Sequence, residues 1–242
     1  MRLLVLLLAI AMPVVAWLSQ TGAFGPDQGT ISNNYPTLLV AAGYAFSIWS
    51  VIFVLVLVYA VLQATGARRQ DAVLGRIAPA AAAGIFLTTI WMPLFSQELF
   101  WLCVAVIFGA LACIGWCALV LSRAPGRTWA WLALSLHAGW LSLAAFLNLA
   151  QTIVAYQVLP TGNMLAWSAV LYLLAAALLL GMNQAMRGNL AYAAAALWGL
   201  VAVYVQQSGW TLAGSDAAAW IAVAIAVVLA AHTVWLRRQR WH

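Results

Sequence analysis

Eight apolar runs, each about the length of a bilayer crossing, divide this chain, and nearly every charge falls in the breaks between them. They span about 3–19, 38–64, 77–97, 99–122, 129–155, 164–182, 190–206 and 217–236. At 1.5 Å per residue, roughly 20 apolar residues cross the hydrocarbon core. Inside lipid every backbone N–H and C=O must be satisfied by protein, so only helices and closed barrels span it. No run alternates apolar and polar residues as barrel strands do, so the sequence predicts an all-α polytopic membrane bundle of about eight transmembrane helices. Composition agrees, with 67% hydrophobic residues, 6% charged residues and a mean hydropathy of +1.02.

If eight helices alternate in direction, all ten basic residues fall on one side: Arg2, Arg68, Arg69, Arg76, Arg123, Arg127, Arg187, Arg237, Arg238 and Arg240. The other side receives Asp27, Glu98 and Asp216 and no basic residue. Basic residues are retained on the cytoplasmic side, so both termini are expected there, and the sorting also checks the helix count. The all-arginine, alanine-rich composition points to a bacterial inner (cytoplasmic) membrane. The pI of 9.7 therefore reports topology and not a nucleic-acid footprint. The first run has the form of a signal peptide, with Arg2, an apolar stretch and small residues near Thr21-Gly22-Ala23, and is read as a retained helix.

Several chemistries lack their parts. No Asp, Glu, Lys or Arg lies deep in a run, which argues against a charge-coupled pump. The chain has no lysine, so neither a retinal Schiff base nor a lysine nucleophile can form. Phosphate loops, zinc-spaced His/Glu pairs and a nucleophile elbow are also missing, and no enzymatic activity is expected. Cys103, Cys113 and Cys117 share the fourth run and read as buried thiols. His137 in the fifth run and His232 in the eighth read either as neutral histidines bonded to a neighbouring helix or as axial ligands to a pigment metal; His242 ends the chain.

The longest connection, about 20–37, is rich in Gly, Pro, Asn and Asp and falls on the side away from the arginines. Loops of that length are often lids or binding segments. Pro36 is expected to lead into the second helix, and Pro13 and Pro93 to kink the first and third. Small residues recur every four positions at Ala191, Ala195 and Gly199 and at Ala218, Ala222, Ala226 and Ala230, a pattern for close helix packing.

The fourteen tryptophans mostly mark the ends of the runs, where an amphipathic ring suits the headgroup level. Trp49, Trp140 and Trp198 fall near the middles, with Trp91 part-way in, and Trp198 reads as packing between helices. Tryptophan at that depth needs packing or a partner for its N–H. In the second helix Phe46, Trp49 and Phe53 share a face; in the third, Thr88, Trp91 and Phe95; in the fifth, Trp140, Ala144, Leu147 and Asn148. Aromatic core packing explains any one stripe, whereas three at similar depth beneath one long loop suggest a pocket.

These stripes resemble the TspO/MBR family of tryptophan-rich sensory proteins, the translocator-protein relatives. The family's second helix opens Pro-Pro-x-aromatic-x-Phe-x-x-Val-Trp-x-x-Leu-Tyr, and this chain has Ala41, Ala42, Tyr44, Phe46, Ile48, Trp49, Ile52 and Phe53 in those places. Thr88, Trp91 and Phe95 match the Asn-x-x-Trp-x-x-x-Phe of the third helix. Leu136, His137, Trp140, Ala144, Leu147 and Asn148 match the Pro-Tyr-x-x-Trp-x-x-x-Ala-x-x-Leu-Asn of the fifth. The resemblance covers residues 1–155, a five-helix core, and leaves 156–242 as a three-helix extension like that of the longer bacterial members. It implies a loop-capped pocket for tetrapyrroles, sterols or aromatic drugs, lined by Tyr44, Phe46, Trp49, Thr88, Trp91, Phe95, Trp140, Ala144, Leu147 and Asn148. The chain departs from the pattern at Ala41-Ala42, Thr88 and Leu136-His137; losing the Asn and Tyr polar groups at Thr88 and His137 shifts the expected ligand toward a less polar lipid, carotenoid or hopanoid.

The expected function is therefore a receptor, sensor or carrier for a hydrophobic flat or polycyclic ligand: a porphyrin, a sterol-like molecule, a carotenoid or an isoprenoid lipid. The alternative is a structural or assembly subunit of a larger membrane complex, holding pigment through His137 or His232. Expected partners are membrane lipid, a hydrophobic small molecule, and a homodimer mate or membrane-complex partner, with no nucleic acid.

Overall fold

The computed structural model describes residues 1–239; the expectations placed on Arg240 and His242 lie outside them. Among the described residues there are helices and no strand. The long helices are α1 (Arg2–Gln20), α3 (Ile48–Ala64), α4 (Ala72–Ser96), α5 (Phe100–Ser122), α6 (Thr128–Ala155), α7 (Leu165–Ala185), α8 (Leu190–Ser208) and α9 (Ser215–Arg238). A short α2 (Gln28–Asn34) lies in the first loop, and a 3-10 turn over Gly43–Ser47 leads into α3. All eight long helices are long and apolar enough to cross a membrane. The protein is a multi-pass helical membrane protein, and the second, third and fifth apolar runs correspond to α3, α4 and α6.

The bundle is built around α6, whose most apolar window is 78% buried, against 22% for the peripheral α1. The sequence of α6 allows close approach. A Cβ at Gly139 would run into the Tyr192 carbonyl of α8, and one at Gly199 of α8 would press on Leu143 and Trp140 of α6. Gly199 thus carries its small-residue stripe against α6. In the α9 stripe, Ala218 and Ala222 are buried, while Ala226 and Ala230 are half-buried.

Polar ties gather the arginine-bearing ends. Arg2 donates to the carbonyls of Gln63, Arg68 and Asp71 at 2.6, 3.0 and 2.7 Å, joining the start of α1 to the α3–α4 connection. Asp71 caps α4 through the N–H groups of Val73 and Leu74 and accepts from Arg127 Nε at 2.8 Å. Burial raises the Asp71 pKa, but the Arg127 pair and the two N–H donors outweigh it and hold the carboxyl below its usual range. Asn189 caps α8 and donates to Ser122 and Ser135, tying α8 to α5 and α6.

One boundary differs from expectation. The second helix does not begin at residue 38: residues 37–42 are non-helical and buried, and the α-helix starts at Ile48. Non-helical backbone inside a membrane protein persists only where protein satisfies its polar groups. Here α7 and α8 do so. Ala42 N–H donates to Ala202 O at 3.0 Å, Tyr172 OH donates to Leu38 O at 2.6 Å, and Gln207 Nε2 donates to Thr37 O at 2.9 Å. Tyr172 and Ala202 lie about 10 Å in from the nearer ends of α7 and α8, so the segment dips into the bundle. Pro36 helps to end α2, because a proline disfavours helical backbone at the residue before it, Tyr35.

Candidate functional site

Three helices and the dipping segment converge on one small aromatic cavity. Phe46, Trp49, Trp91, Phe95, Trp140, Ala144, Leu147 and Asn148 all line it, joined by Ser32, Val40, Ala41, Ile107 and Gln151. Trp49 and Trp140 meet edge to face with ring centroids 6.1 Å apart, and Phe46 meets the same Trp140 ring at 6.4 Å. On the opposite wall Trp91 stacks on Phe95 at 4.7 Å. The Trp91 Nε1–H donates to Asn148 Oδ1 at 2.8 Å, which fixes both side chains across α4 and α6.

Two of the sequence-predicted lining residues lie elsewhere. Tyr44 is 44% exposed and packs edge to face on Trp198 at 5.4 Å. Two positions apart on a helical turn, Tyr44 and Phe46 point to different sides, Tyr44 to Trp198 and Phe46 to Trp140. Thr88 is buried beside the cavity and bonds away from it. Its Oγ1 donates to Gly84 O at 2.8 Å, and the same oxygen lies 3.2 Å from His137 Nε2. With the hydroxyl proton committed to Gly84, the imidazole supplies the proton of the second bond, leaving Nδ1 as an acceptor. An axial role for His137 through Nε2 would require it to leave Thr88. Both ring nitrogens of His232 are also engaged, with Asn183 and Gln184.

Two residues of the cavity wall carry unpaired donors. Trp140 Nε1 and Asn148 Nδ2 are buried and have no hydrogen-bond partner among the described residues; beside them, His137 Nδ1 is likewise unpartnered. A buried donor without a partner costs about 1–3 kcal/mol. No lining residue carries a charge, and no group of three His, Cys, Asp or Glu residues among those described could hold a metal ion. The site therefore offers ring faces and edges and two N–H donors, and no acid–base pair.

The cavity is nearly shut. Its free volume is about 30 Å³, room for about one water. Ligand sites commonly enclose roughly 300–1,000 Å³, so a tetrapyrrole does not fit the cavity in this form. Phe46 and Trp49 form a shared wall with a groove of about 390 Å³ between α1 and α3, edged by Pro13, Trp17, Gln20, Gln28, Ser47, Ser50, Phe53 and Met92. Displacing those two rings would join the cavity to the groove.

Of the lining residues missed in the sequence, Gln151 continues the α6 stripe and could have been found by extending the same periodicity. Ser32, Val40 and Ala41 arrive by the path of the first loop, which has no periodic signature, and Ile107 comes from α5, where no stripe stood out. Trp198 does more than fill space: its Nε1–H donates to Ala45 O at 3.1 Å and ties α8 to the turn that carries Phe46.

The first loop closes the far end of the site. Asp27 caps α2 through Gly29 and Thr30 N–H and accepts from the Thr30 hydroxyl. Tyr35 OH donates to Glu98 Oε2 at 2.5 Å, and its ring packs on Phe100, which in turn packs on Phe95. The hydrogen bond to Glu98, with burial and the carboxylate charge, raises the Tyr35 pKa. The loop is thus anchored to the same aromatic column that lines the cavity.

No curated protein and no solved structure matches the chain. A family model described as TSPO-like protein matches residues 2–235, including the last three helices. The aromatic cavity among α3, α4 and α6 and this match along nearly the whole chain agree, and the chain belongs to the TSPO-like family.

Proposed function

We propose that this protein binds a flat or polycyclic hydrophobic ligand in the Trp49–Trp91–Trp140 cavity and acts as a receptor, sensor or carrier without a catalytic step. One observation carries the reading: an uncharged aromatic cavity is lined by two residues whose buried N–H donors are unpaired, Trp140 and Asn148. Aromatic walls favour a flat apolar body, and unpaired donors favour a ligand that brings an acceptor oxygen. Among tetrapyrroles, sterol-like molecules and isoprenoid lipids, this selects neutral members with a carbonyl or ether oxygen. No cationic side chain lines the cavity to receive a carboxylate. The ligand reaches the cavity sideways through the α1–α3 groove, by displacement of Phe46 and Trp49. The arginine-bearing end of the bundle faces the cytoplasm of a bacterial inner membrane, so the cavity sits toward the opposite leaflet. The first 155 residues form the ligand-binding core, and α8 of the last three helices braces the turn that carries Phe46.

The test is a tryptophan-fluorescence titration of the purified protein with a porphyrin, an isoprenoid quinone and the tricyclic ketone fluorenone. The quinone or the ketone should bind below about 10 μM, close to 7 kcal/mol, and Trp140→Ala should weaken binding at least tenfold. Failure of all three ligands, or unchanged affinity in Trp140→Ala, overturns the reading.

A further inference from the structure

Toward the arginine-bearing end two clefts meet on α5, on the faces of α5 and α6 away from the aromatic cavity's own lining residues. The first is an apolar groove of about 460 Å³ between α5 and α7, floored by Phe146 of α6. On α5 it runs from Phe108 to Leu119, about 16 Å at 1.5 Å per residue. That is close to half of a hydrocarbon core about 30 Å thick, the depth one leaflet's acyl chain must cover. The second cleft, of about 390 Å³, lies between α4 and α5 and carries Arg76 and Arg123. Trp116 and Leu119 belong to both, so the apolar groove leads around α5 directly to the two guanidinium groups.

Charge at this end is uncompensated. Arg127 is paired with Asp71, the sole salt bridge among the described residues. Arg76 and Arg123 are exposed and have no carboxylate partner among those residues. The Arg76 guanidinium lies 5.9 Å over the Trp116 ring, which holds it at the mouth of the groove. A third cleft shares Arg123 and adds Arg187, so the positive region continues around the α5–α6 turn.

We propose that this composite cleft is a binding site for an anionic glycerophospholipid of the adjacent leaflet. Its phosphodiester lies between Arg76 and Arg123, and one acyl chain fills the groove from Leu119 to Phe108. Guanidinium forks match phosphate oxygens, and the apolar groove matches a chain of leaflet length. A basic cleft between helices at the membrane surface is the known physical form of headgroup recognition. The geometry requires both halves: Trp116 and Leu119 place the charged cleft and the chain groove within reach of one molecule.

The experiment reconstitutes the full chain in nanodiscs of phosphatidylglycerol and phosphatidylcholine in equal parts, then extracts it and measures retained lipid by native mass spectrometry. The wild-type protein should retain phosphatidylglycerol over phosphatidylcholine at a ratio several-fold above the bulk ratio, on the order of fivefold per arginine. R76Q/R123Q should return retention to the bulk ratio. Both residues are exposed and free of carboxylate partners, so melting of this variant should match wild type and separate loss of the site from loss of fold. R69Q/R238Q removes the same charge away from the groove and should retain the enrichment. Equal enrichment in R76Q/R123Q, or equal loss in R69Q/R238Q, overturns the proposal, the second because it would reduce the effect to general attraction.

Discussion

Replacing Trp140 with Phe separates the role of its ring from that of its N–H. Trp140 is 2% exposed, and its Nε1 has no partner among the described residues. Phenylalanine keeps an aromatic edge toward Trp49 and Phe46 and removes the donor. Relief of an unsatisfied buried donor favours the variant by about 1–3 kcal/mol. Loss of buried ring area and the small cavity left behind oppose it by about 1–2 kcal/mol. The two nearly cancel, so the melting temperature should move by only a few degrees. Ligand affinity should respond differently. Fluorenone and fluorene share one flat skeleton and differ by a carbonyl oxygen, so the cost of opening the Phe46–Trp49 wall is common to both. A hydrogen bond from Nε1 to that oxygen is worth about 0.5–1.5 kcal/mol, or about a 2- to 12-fold preference for the ketone. In Trp140→Phe the preference should fall by that factor while fluorene affinity changes little. Fluorescence competition against a bound reporter gives both constants. Full retention of the ketone preference would refute the reasoning, because the unpaired indole N–H would then have no part in recognition.

Gly139→Ala places a methyl against the Tyr192 carbonyl and should cost about 2–3 kcal/mol in detergent unfolding. Gly181→Ala, with open space around the new methyl on α7, should be neutral or gain up to about 1 kcal/mol. Equal behaviour of the two would mean that α6 and α8 do not approach as described. Asp71 has a depressed folded pKa, so its contribution to stability is fully present above the unfolded value of 3.8 and is lost as pH falls through the lower folded value. Acid unfolding should therefore steepen below about pH 3.8, and Asp71→Asn should flatten that limb while retaining the α4 cap. Ala42→Pro fits the backbone, since Ala42 has φ −57°. It removes only the bond to Ala202 and should cost about 1 kcal/mol in thermal unfolding.

The sequence carried the helices and most of the cavity for one reason: both are periodic. Apolar runs of bilayer length specify helices whatever their neighbours, and the stripes around Trp91 and Trp140 survive because α4 and α6 are regular through them. Thr88 marks the limit of that logic. It shares a face with Trp91 and Phe95, yet its hydroxyl turns to Gly84 and His137, a choice made by partners on two helices. Residues 37–47 were illegible for a stronger reason. Their apolar composition reads as helix, whereas their backbone bonds go to Tyr172, Ala202 and Gln207, more than a hundred residues away. Tyr44, which only the family pattern places at the cavity, stands two positions from Phe46 on the turn and so faces Trp198 instead.

The same long-range bonds explain a departure from the family pattern. Where the resemblance expects a proline pair, this chain has Ala41-Ala42, and the Ala42 N–H is the group that bonds Ala202 of α8. A proline could not make that bond. Three residues further on, Trp198 of α8 holds Ala45 O, and Gly199 beside it lies against Trp140. Helix α8 therefore grips both the turn that carries Phe46 and the ring that Phe46 and Trp49 close upon. A nearly shut cavity of about 30 Å³ is the physical consequence, since rings braced on two sides lose room to separate. Any ligand must offset the separation of those rings, and the unpaired N–H groups of Trp140 and Asn148 are what the cavity offers in return.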